Sequence, residues 1–306
     1  MEEQVRLPNS ALNTKMNKFS FSPPPAELAL IRNFISSSLQ EDVGDGDHTS
    51  LACIRKGVNG KARLLVKEQG ILAGQELAVL IFKETDPALI VSSQIFDGSP
   101  IHPGEHILEV SGDEQSILRA ERLVLNCMQR MSGIATTTRR YANLIKGTGA
   151  KVLDTRKTTP GMRLLEKWAV RLGGGFNHRF GLYDMILIKD NHVDYSGGIK
   201  QAIKAANNYL KKTGKTLRIE IEVRNFEELE TVLETGQVQR IMLDNFNPSD
   251  LAQAVIRIRN RFETEASGGI TEATIREYAE TGVNFISVGA LTHSVKSIDL
   301  SLKAVK

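Results

Sequence analysis

The sequence predicts an α/β protein in which an incomplete C-terminal α/β barrel follows a smaller N-terminal α+β domain. Beyond Gly149, six short apolar strands alternate with helices, which is typical of parallel βα units. Charged residues recur on only one face of these strands. Because helices on both sides of an open sheet would bury both faces, this pattern favours a barrel lumen over a doubly wound sheet. Six strands are fewer than a closed barrel contains.

The composition is that of an ordinary soluble globular protein. The 306 residues allow one large or two medium domains, and hydrophobic and charged fractions of 41% and 25% are sufficient for a core with a polar surface. A net charge of +3 is too small to predict a nucleic-acid or membrane partner. Any binding of anions must therefore be the property of a local site.

Cysteine usage and the absence of long apolar segments predict a cytoplasmic protein. Cys53 and Cys127 lack the spacing of a disulfide framework or a zinc site, which indicates a reducing compartment. The N-terminus lacks a secretory pattern, and no apolar run reaches the ~20 residues that span a bilayer. A cleaved transit segment within the first twenty residues is the alternative.

The N-terminal region combines a polar tail with a small α+β domain. Residues 1–25 are polar and end in three prolines, whereas residues 26–41 carry apolar side chains at helical spacing. The acidic segment Asp42–Thr49 lacks the ligand spacing of a calcium loop, so a plain turn is favoured. Further predicted elements are strands 62–66, 89–96 and 106–110, mostly antiparallel, and helix 75–83.

A long helix joins this region to the barrel. It is predicted from Asp113 to Ile145 with a break at Gly133, which sets domain limits of 26–133 and 134–306. Barrel strands are predicted at 152–155, 185–189, 217–223, 240–244, 263–267 and 285–288. Helix starts are predicted at Thr159–Pro160, Asn225, Asn247 and Thr271, and a last helix is expected to pack back on the first domain.

Strand phase brings three charged residues to one side of the barrel. Alternation places Lys189, Glu222 and Asp244 on the lumen face, near the carboxyl ends of their strands, where barrel active sites lie. Glu222 and Asp244 are suited to Mg²⁺, which binds through one or two carboxylates plus substrate phosphates. A solvated or salt-bridged carboxylate pair is the competing interpretation.

The stretch Val152–His192 concentrates cations in turns and at strand ends. Beside Asp154 it contains Arg156, Lys157, His178, Arg179 and Lys189. Because arginine can grip a planar carboxylate bidentately, a small ligand with more than one carboxylate would satisfy this set. For each cation, a structural ion pair with Glu220, Glu222 or Asp244 is the alternative.

Two glycine segments suggest a neighbouring phosphate site. Ser267, Gly268 and Gly269 lie between a strand and the helix expected at Thr271, and Gly289 follows the last strand. Free backbone N–H groups at a helix N-terminus bind phosphate. With the cations, these segments predict a site for a phosphorylated sugar beside a polycarboxylate.

The motifs LDTRKTTPGMRLLEKWAV, GGGFNHRFGLYDMILIKDNH, IEIEV, IMLDN, SGGI and SVGALTHS occur in this order. As a set, with EDVGDGDHTS and ERLVLN before them, they resemble quinolinate phosphoribosyltransferase from about Ala26 onward. The resemblance implies an N-terminal sandwich, an incomplete barrel, and a homodimer whose sites each borrow an arginine. It also implies a pentosyltransferase of NAD biosynthesis, which converts quinolinate and phosphoribosyl pyrophosphate to nicotinate mononucleotide, pyrophosphate and CO2.

The resemblance also implies roles for single residues. The borrowed arginine would be Arg122, and the quinolinate carboxylates would be held by Arg156, Lys157, His178, Arg179 and Lys189. Glu222 and Asp244 would lie near the ribose and its Mg²⁺, and Ser267, Gly268, Gly269 and Gly289 near the 5′-phosphate. Lys157, Lys189, Glu222 and Asp244 are the expected catalytic residues.

Several alternatives remain open at this point. A related enzyme could take nicotinate, although five cations exceed what one carboxylate needs. Lys189 at a strand end could instead be the Schiff-base lysine of an aldolase. A type I phosphoribosyltransferase is disfavoured because ILIKDN has lysine where that pattern requires aspartate. The near-neutral charge disfavours a nucleic-acid module, and assembly beyond a dimer is left open.

Overall fold

The computed structural model describes residues 25–305, so nearly all of the expected polar tail lies outside the described residues. The first elements are α1 (Pro25–Val43), α2 (His48–Cys53), β1 (Asn59–Val66), β2 (Gly70–Ile71), α3 (Gln75–Thr85), β3 (Ile90–Ser93), β4 (Pro100–Ile101), β5 (His106–Asp113) and α4 (Glu114–Leu144). The acidic turn after α1 leads into α2, which Asp47 caps by accepting the Ser50 N–H at 3.1 Å. No described helix combines the length and hydropathy needed to cross a bilayer.

The first domain is built on an antiparallel sheet, as predicted. Its strand order is β12-β1-β5-β3, and α3 and α4 pack against it. The outer strand β12 (Leu300–Val305) comes from the end of the chain, so the prediction of a last helix is wrong. Leu300 and Leu302 are buried while Ser301 between them is only half-buried, the alternation of a strand with one covered face. The C-terminus therefore does return to the first domain, but as a strand.

Helix α4 runs without interruption through Gly133, so the predicted break is also wrong. The glycine is required for close packing. A Cβ at this position would lie 2.3 Å from the carbonyl oxygen of Lys296, in the segment before β12. Gly133 thus lets the C-terminal segment cross α4 at backbone contact distance.

The second domain contains six parallel strands and their helices. The elements are β6 (Lys151–Leu153), α5 (Arg163–Leu172), β7 (Ile186–Ile188), α6 (Asp190–Ser196), α7 (Ile199–Thr213), β8 (Ile219–Val223), α8 (Phe226–Thr235), β9 (Arg240–Asp244), α9 (Pro248–Ile258), β10 (Glu263–Ser267), α10 (Ile275–Glu280), β11 (Phe285–Ser287) and α11 (Ala290–His293).

The order of these strands, β6-β11-β10-β9-β8-β7, confirms the incomplete barrel. From β7 to β11 each strand pairs with the next one in the chain, and β11 pairs with β6, so the cyclic order of a barrel is interrupted only between β6 and β7. A doubly wound sheet would instead reverse its strand order at a switch point. The carboxyl ends of all six strands therefore meet at one mouth.

Two of the four predicted helix starts are confirmed. Asn225 caps α8 and Asn247 caps α9, each through its side-chain oxygen. The other two starts are wrong. A turn closed by the Met162 N–H and the Thr159 carbonyl delays α5 to Arg163, and a similar turn after Thr271 delays α10 to Ile275.

Candidate active site

A cleft of about 210 Å³ opens at the carboxyl ends of the barrel strands. Six of the predicted site residues line it, namely Arg156, Lys157, His178, Arg179, Lys189 and Ser267. They come from the segment after β6, the segment before β7, the end of β7 and the end of β10. Residues more than a hundred positions apart in the chain are thus brought to one mouth.

Most cations of the cleft lack a carboxylate partner. Within residues 25–305, no ion pair is formed by Arg156, Lys157 or Arg179. One nitrogen of Arg179 donates to the Met185 carbonyl at 3.3 Å, and burial together with the nearby Arg156 lowers the pKa of its guanidinium. An anionic ligand would relieve this repulsion, so the structural ion pairs considered from the sequence do not account for these three residues.

Lys189, unlike those three residues, does have a carboxylate partner. Its Nζ lies 3.0 Å from Oε2 of the nearly buried Glu222. Because the lysine side chain is 47% exposed and paired with a carboxylate, its surroundings do not favour a Schiff base, which needs a desolvated amine. The aldolase alternative therefore loses its main support.

His178 is buried below the cleft, and both of its ring nitrogens have neighbours. Nδ1 accepts the Arg179 backbone N–H at 2.7 Å, whereas Nε2 lies 3.1 Å from Glu220 and 3.5 Å from Glu265. Burial lowers the pKa of His178, but the two carboxylates outweigh it and raise the pKa. A raised pKa favours the imidazolium, whereas acceptance of the Arg179 N–H requires an unprotonated Nδ1. As long as this hydrogen bond is kept, the ring carries its proton on Nε2, the nitrogen that faces the two carboxylates.

His178 and its two carboxylate neighbours also lie close enough together to be considered as a metal site. One atom each of His178, Glu220 and Glu265 lies within 4.8 Å of the others. A metal at Nε2 would require the ring proton on Nδ1, which faces the Arg179 N–H. The geometry therefore favours an ion-paired cluster over a metal site at this place. Burial together with the charge of Glu265 raises the pKa of Glu220 to about 7.

Glu222 and Asp244, the expected Mg²⁺ ligands, end neighbouring strands β8 and β9. Glu222 Oε2 faces Lys189, and Asp244 Oδ2 accepts the Asn245 side-chain amide at 2.6 Å. The second oxygen of each carboxylate has no such contact among the described residues. Hard carboxylate oxygens are the ligands that Mg²⁺ prefers, so the donor set of this pair suits the ion expected from the sequence.

Asp154, which the sequence places among the cations, is fully buried and serves the scaffold. It accepts hydrogen bonds from the Lys167 ammonium, the Asn177 side chain and the His178 backbone N–H. Burial raises the pKa of Asp154 against the opposing charge of Lys167. This network fixes the backbone at His178 behind the cleft.

The glycine segments lie at the same mouth. Ser267 pairs in register with Asp244, and Gly268 follows with φ of +103°. A Cβ at this position would also lie 2.1 Å from Asn245 Oδ1, so both the backbone conformation and the close contact require glycine. Gly269 also has a positive φ, and a Cβ on Gly289 would lie 3.2 Å from the side chain of Lys157. Since α10 begins only at Ile275, the segment 267–269 is not itself a helix N-terminus, and the phosphate site expected there would have to use N–H groups of the loop.

Arg122 does not lie in this cleft. It is exposed on α4 and lines a separate depression of about 310 Å³ with Phe34, Asn126 and Met162 among its neighbours. Within a single chain, Arg122 therefore lies apart from the cations of the cleft.

The cleft also contains residues that the sequence analysis missed, namely Thr155, Leu187, Met242, Glu265 and Ser287. The strand phase contained the signal for three of them. Leu187 shares a face with Lys189, Met242 with Asp244, and Glu265 with Ser267. Leu187 and Met242 are apolar, Thr155 and Ser287 contribute hydroxyl groups, and Glu265 contributes a carboxylate to the lining of the cleft.

Comparisons with known proteins agree with this arrangement. Residues 47–132 match the family model "Quinolinate phosphoribosyl transferase, N-terminal domain", and residues 134–303 match the corresponding C-terminal domain. The chain is 45% identical to quinolinate phosphoribosyltransferase [decarboxylating] 1b of Nicotiana tabacum, over 98% of this chain and 89% of that protein.

A rice protein and a solved bacterial structure show the same likeness. The chain is 44% identical to the chloroplastic nicotinate-nucleotide pyrophosphorylase [carboxylating] of Oryza sativa, over 98% of this chain and 84% of the relative. The nicotinate-nucleotide pyrophosphorylase of Francisella tularensis superposes with a TM-score of 0.84 at 39% identity, over 90% of this chain and 96% of that one. The chain therefore belongs to the quinolinate phosphoribosyl transferase family.

Proposed function

We propose that the protein transfers the phosphoribosyl group of phosphoribosyl pyrophosphate to quinolinate with loss of CO2, giving nicotinate mononucleotide and pyrophosphate. The observation that carries this proposal is the cleft in which Arg156, Lys157 and Arg179 meet without an ion-pair partner among the described residues. Family membership supports the same reaction, which serves NAD biosynthesis.

The cations form the quinolinate half of the proposed site. Two adjacent ring carboxylates need several donors from more than one direction, and Arg156, Lys157, Arg179 and Lys189 come from three different segments around the cleft. One carboxylate, as in nicotinate, would leave part of this charge without a counterion. The dicarboxylate is therefore the better fit.

The carboxylates and glycines form the phosphoribosyl half. Glu222 and Asp244 would hold Mg²⁺ together with substrate phosphates, and the bound ion would neutralise the departing pyrophosphate. Backbone N–H groups of Ser267, Gly268 and Gly269, and of Gly289, would face the 5′-phosphate. This assignment rests on their position at the same barrel mouth.

The chemistry follows from the charges of the two halves. The pyridine nitrogen attacks the anomeric carbon as the bond to pyrophosphate breaks, and Glu222 or Asp244 stabilises the positive charge that develops on the ribose. The N-ribosylated ring is then cationic, so it accepts the electron pair of the bond to the 2-carboxylate as CO2 leaves. A proton replaces CO2 on the ring.

Arg122 would complete the site from a second copy of the chain. It lies in the proposed first domain, residues 26–133, and is exposed, whereas the cleft lies in the proposed second domain, residues 134–306. A homodimer in which each first domain faces the partner's barrel would bring Arg122 to the quinolinate carboxylates.

A cytoplasmic location is likewise proposed, on the basis of the cysteine usage. The rice relative is named chloroplastic, so an organelle is the competing location. Fluorescent fusions of the chain with and without residues 1–24 would distinguish them. An organellar signal that depends on residues 1–24 would overturn the cytoplasmic proposal.

The proposed reaction is tested with the purified full chain, quinolinate, phosphoribosyl pyrophosphate and Mg²⁺. Stoichiometric CO2 and nicotinate mononucleotide are expected, and parallel reactions with nicotinate should be much slower. Formation of neither product would contradict the proposal. Faster turnover of nicotinate would assign the chain to a different pyridine acid.

A further inference from the structure

Two buried carboxylates lie directly beneath the cleft. Glu220 of β8 and Glu265 of β10 are fully buried, and both face His178. Arg240, on the strand between them, lies 2.9 Å from Glu265 and 4.0 Å from Glu220. Burying these charged side chains in the barrel interior costs desolvation free energy unless they are paired with one another. This cost indicates a role of the two carboxylates other than packing.

A chain of contacts leads from these carboxylates to a cation of the cleft. Nε2 of His178 lies 3.1 Å from Glu220 and 3.5 Å from Glu265, so both charges stabilise a proton on Nε2, whereas the Nδ1 lone pair accepts the Arg179 backbone N–H. If the carboxylates were absent, nothing on the Nε2 side would hold the proton there. The ring could then take the other tautomer and would no longer accept from Arg179.

We propose that Glu220 and Glu265 are positioning residues, which fix the orientation and tautomer of His178 and thereby hold Arg179 toward the substrate carboxylate. Neither carboxylate needs to touch quinolinate for this effect, since the preorganised Arg179 is the group that binds. The kinetic consequence of this arrangement rests on the proposed function, whereas the tautomer and orientation of the His178 ring do not.

The kinetic test uses Glu220→Gln and Glu265→Gln, singly and together, with Glu263→Gln as the matched control. Glu263 also pairs with Arg240, at 3.1 Å, but forms no ion pair with His178. We expect the quinolinate KM to rise about tenfold in the double variant, with the KM for phosphoribosyl pyrophosphate within about twofold of wild type. Equal changes in both KM values, or the same change in the control, would overturn the proposal.

A double-mutant cycle distinguishes an effect of the carboxylates that acts through His178 from a general disturbance of the barrel interior. In a His178→Gln background the Glu220→Gln and Glu265→Gln substitutions should have no further effect on the quinolinate KM, because the path to Arg179 is already broken. Additive losses in this background would show that the carboxylates act independently of His178.

The ring itself is examined by NMR of the full chain labelled with ¹⁵N-histidine, with the His178 signals identified from their loss in His178→Gln. Because the carboxylates raise the pKa of His178 to about 9, spectra are recorded over a pH series that reaches the neutral ring. The neutral ring of wild type should carry its proton on Nε2, and the double carboxylate variant should lose this preference. A neutral wild-type ring with its proton on Nδ1, or the same tautomer ratio in both proteins, would contradict the proposal. If wild type fails to convert quinolinate, the proposed function fails, while these spectra still test the network.

Discussion

Lys189 Nζ lies 3.0 Å from Glu222 Oε2 at the mouth of the barrel, where a lumen-facing carboxylate of β8 meets a cation at the end of β7. The two residues have opposite affinities for the proposed substrates. Lys189 is attracted to an anionic carboxylate, whereas Glu222 is attracted to a cationic ribose or to Mg²⁺. In the proposed site, their contact would lie at the boundary between the quinolinate half and the phosphoribosyl half.

Replacing Glu222 with glutamine should therefore impair the chemical step more than the binding of quinolinate. We expect kcat to fall about 10²–10³-fold because the developing charge on the ribose loses its anionic neighbour, with the quinolinate KM changed less than about threefold. Steady-state kinetics with both substrates measure this. The exposed Glu230→Gln variant serves as the control, and an unchanged kcat in Glu222→Gln would remove the residue from the reaction.

Arg156→Ala should act mainly on quinolinate. Loss of an unpaired guanidinium from the cleft should raise the quinolinate KM about tenfold to a hundredfold, because a charge-assisted contact with a carboxylate disappears. The KM for phosphoribosyl pyrophosphate should change little. Arg257→Ala, which removes an exposed arginine paired with Glu230 on the helical surface, is the matched control. Equal kinetics for the two variants would contradict the assignment of Arg156.

Strand alternation made the barrel and much of its site predictable. In β8 the lumen residues Glu220 and Glu222 are charged while Ile219 and Ile221 are apolar, so one segment reveals both its conformation and its orientation. The last strand was less predictable because its pairing partner, β1, lies far away in the chain. Gly133 was misread because a glycine needed for close contact has the same appearance in a sequence as a helix break.

The site was predictable as a set of charges but not as a set of contacts. Sequence spacing could not tell that Asp154 turns inward to Lys167 while Arg156, two residues later, faces the cleft. Nor could it tell that both ring nitrogens of His178 are directed to protein groups. These distinctions depend on backbone direction after β6 and on contacts across the lumen, which only the assembled fold determines.

Gly268 should be far less tolerant of alanine than Gly269. Both have positive φ, but a Cβ on Gly268 would lie 2.1 Å from Asn245 Oδ1, whereas a Cβ on Gly269 meets nothing within 4 Å. We expect Gly268→Ala to lower the free energy of unfolding by at least about 1 kcal/mol more than Gly269→Ala, because it adds a collision to the strained backbone. Urea unfolding compares the two variants, and equal losses would exclude the collision.

Asp97 should make stability depend on pH. Burial raises its pKa to about 7, although hydrogen bonds from the Gln75 and Glu76 N–H groups lower it. Between the unfolded value of 3.8 and about 7, the folded state keeps a proton that the unfolded state releases. The free energy of unfolding should therefore fall as pH rises through this window, by roughly 4 kcal/mol at most.

Urea unfolding from pH 4 to pH 7 tests this dependence. The free energy of unfolding should depend less steeply on pH in Asp97→Asn, whose side chain does not titrate, than in wild type. Asp45→Asn, which changes an exposed carboxylate, should keep the wild-type slope. An identical slope in wild type and Asp97→Asn would show that other groups are responsible.

Mixing two impaired variants should restore activity if Arg122 completes the partner's site, provided that quinolinate is kept far below the raised KM of either variant. Arg122→Ala removes a guanidinium from the exposed face of α4, and Arg156→Ala removes one from the cleft. In a mixed dimer, one of the two sites receives an intact Arg122 and an intact Arg156, while the other lacks both. With random exchange, about half of the dimers are mixed and each has one complete site, so about a quarter of wild-type activity should return. The variants are unfolded and refolded together, and each variant refolded alone is the control; no activity above those controls would place Arg122 outside a shared site.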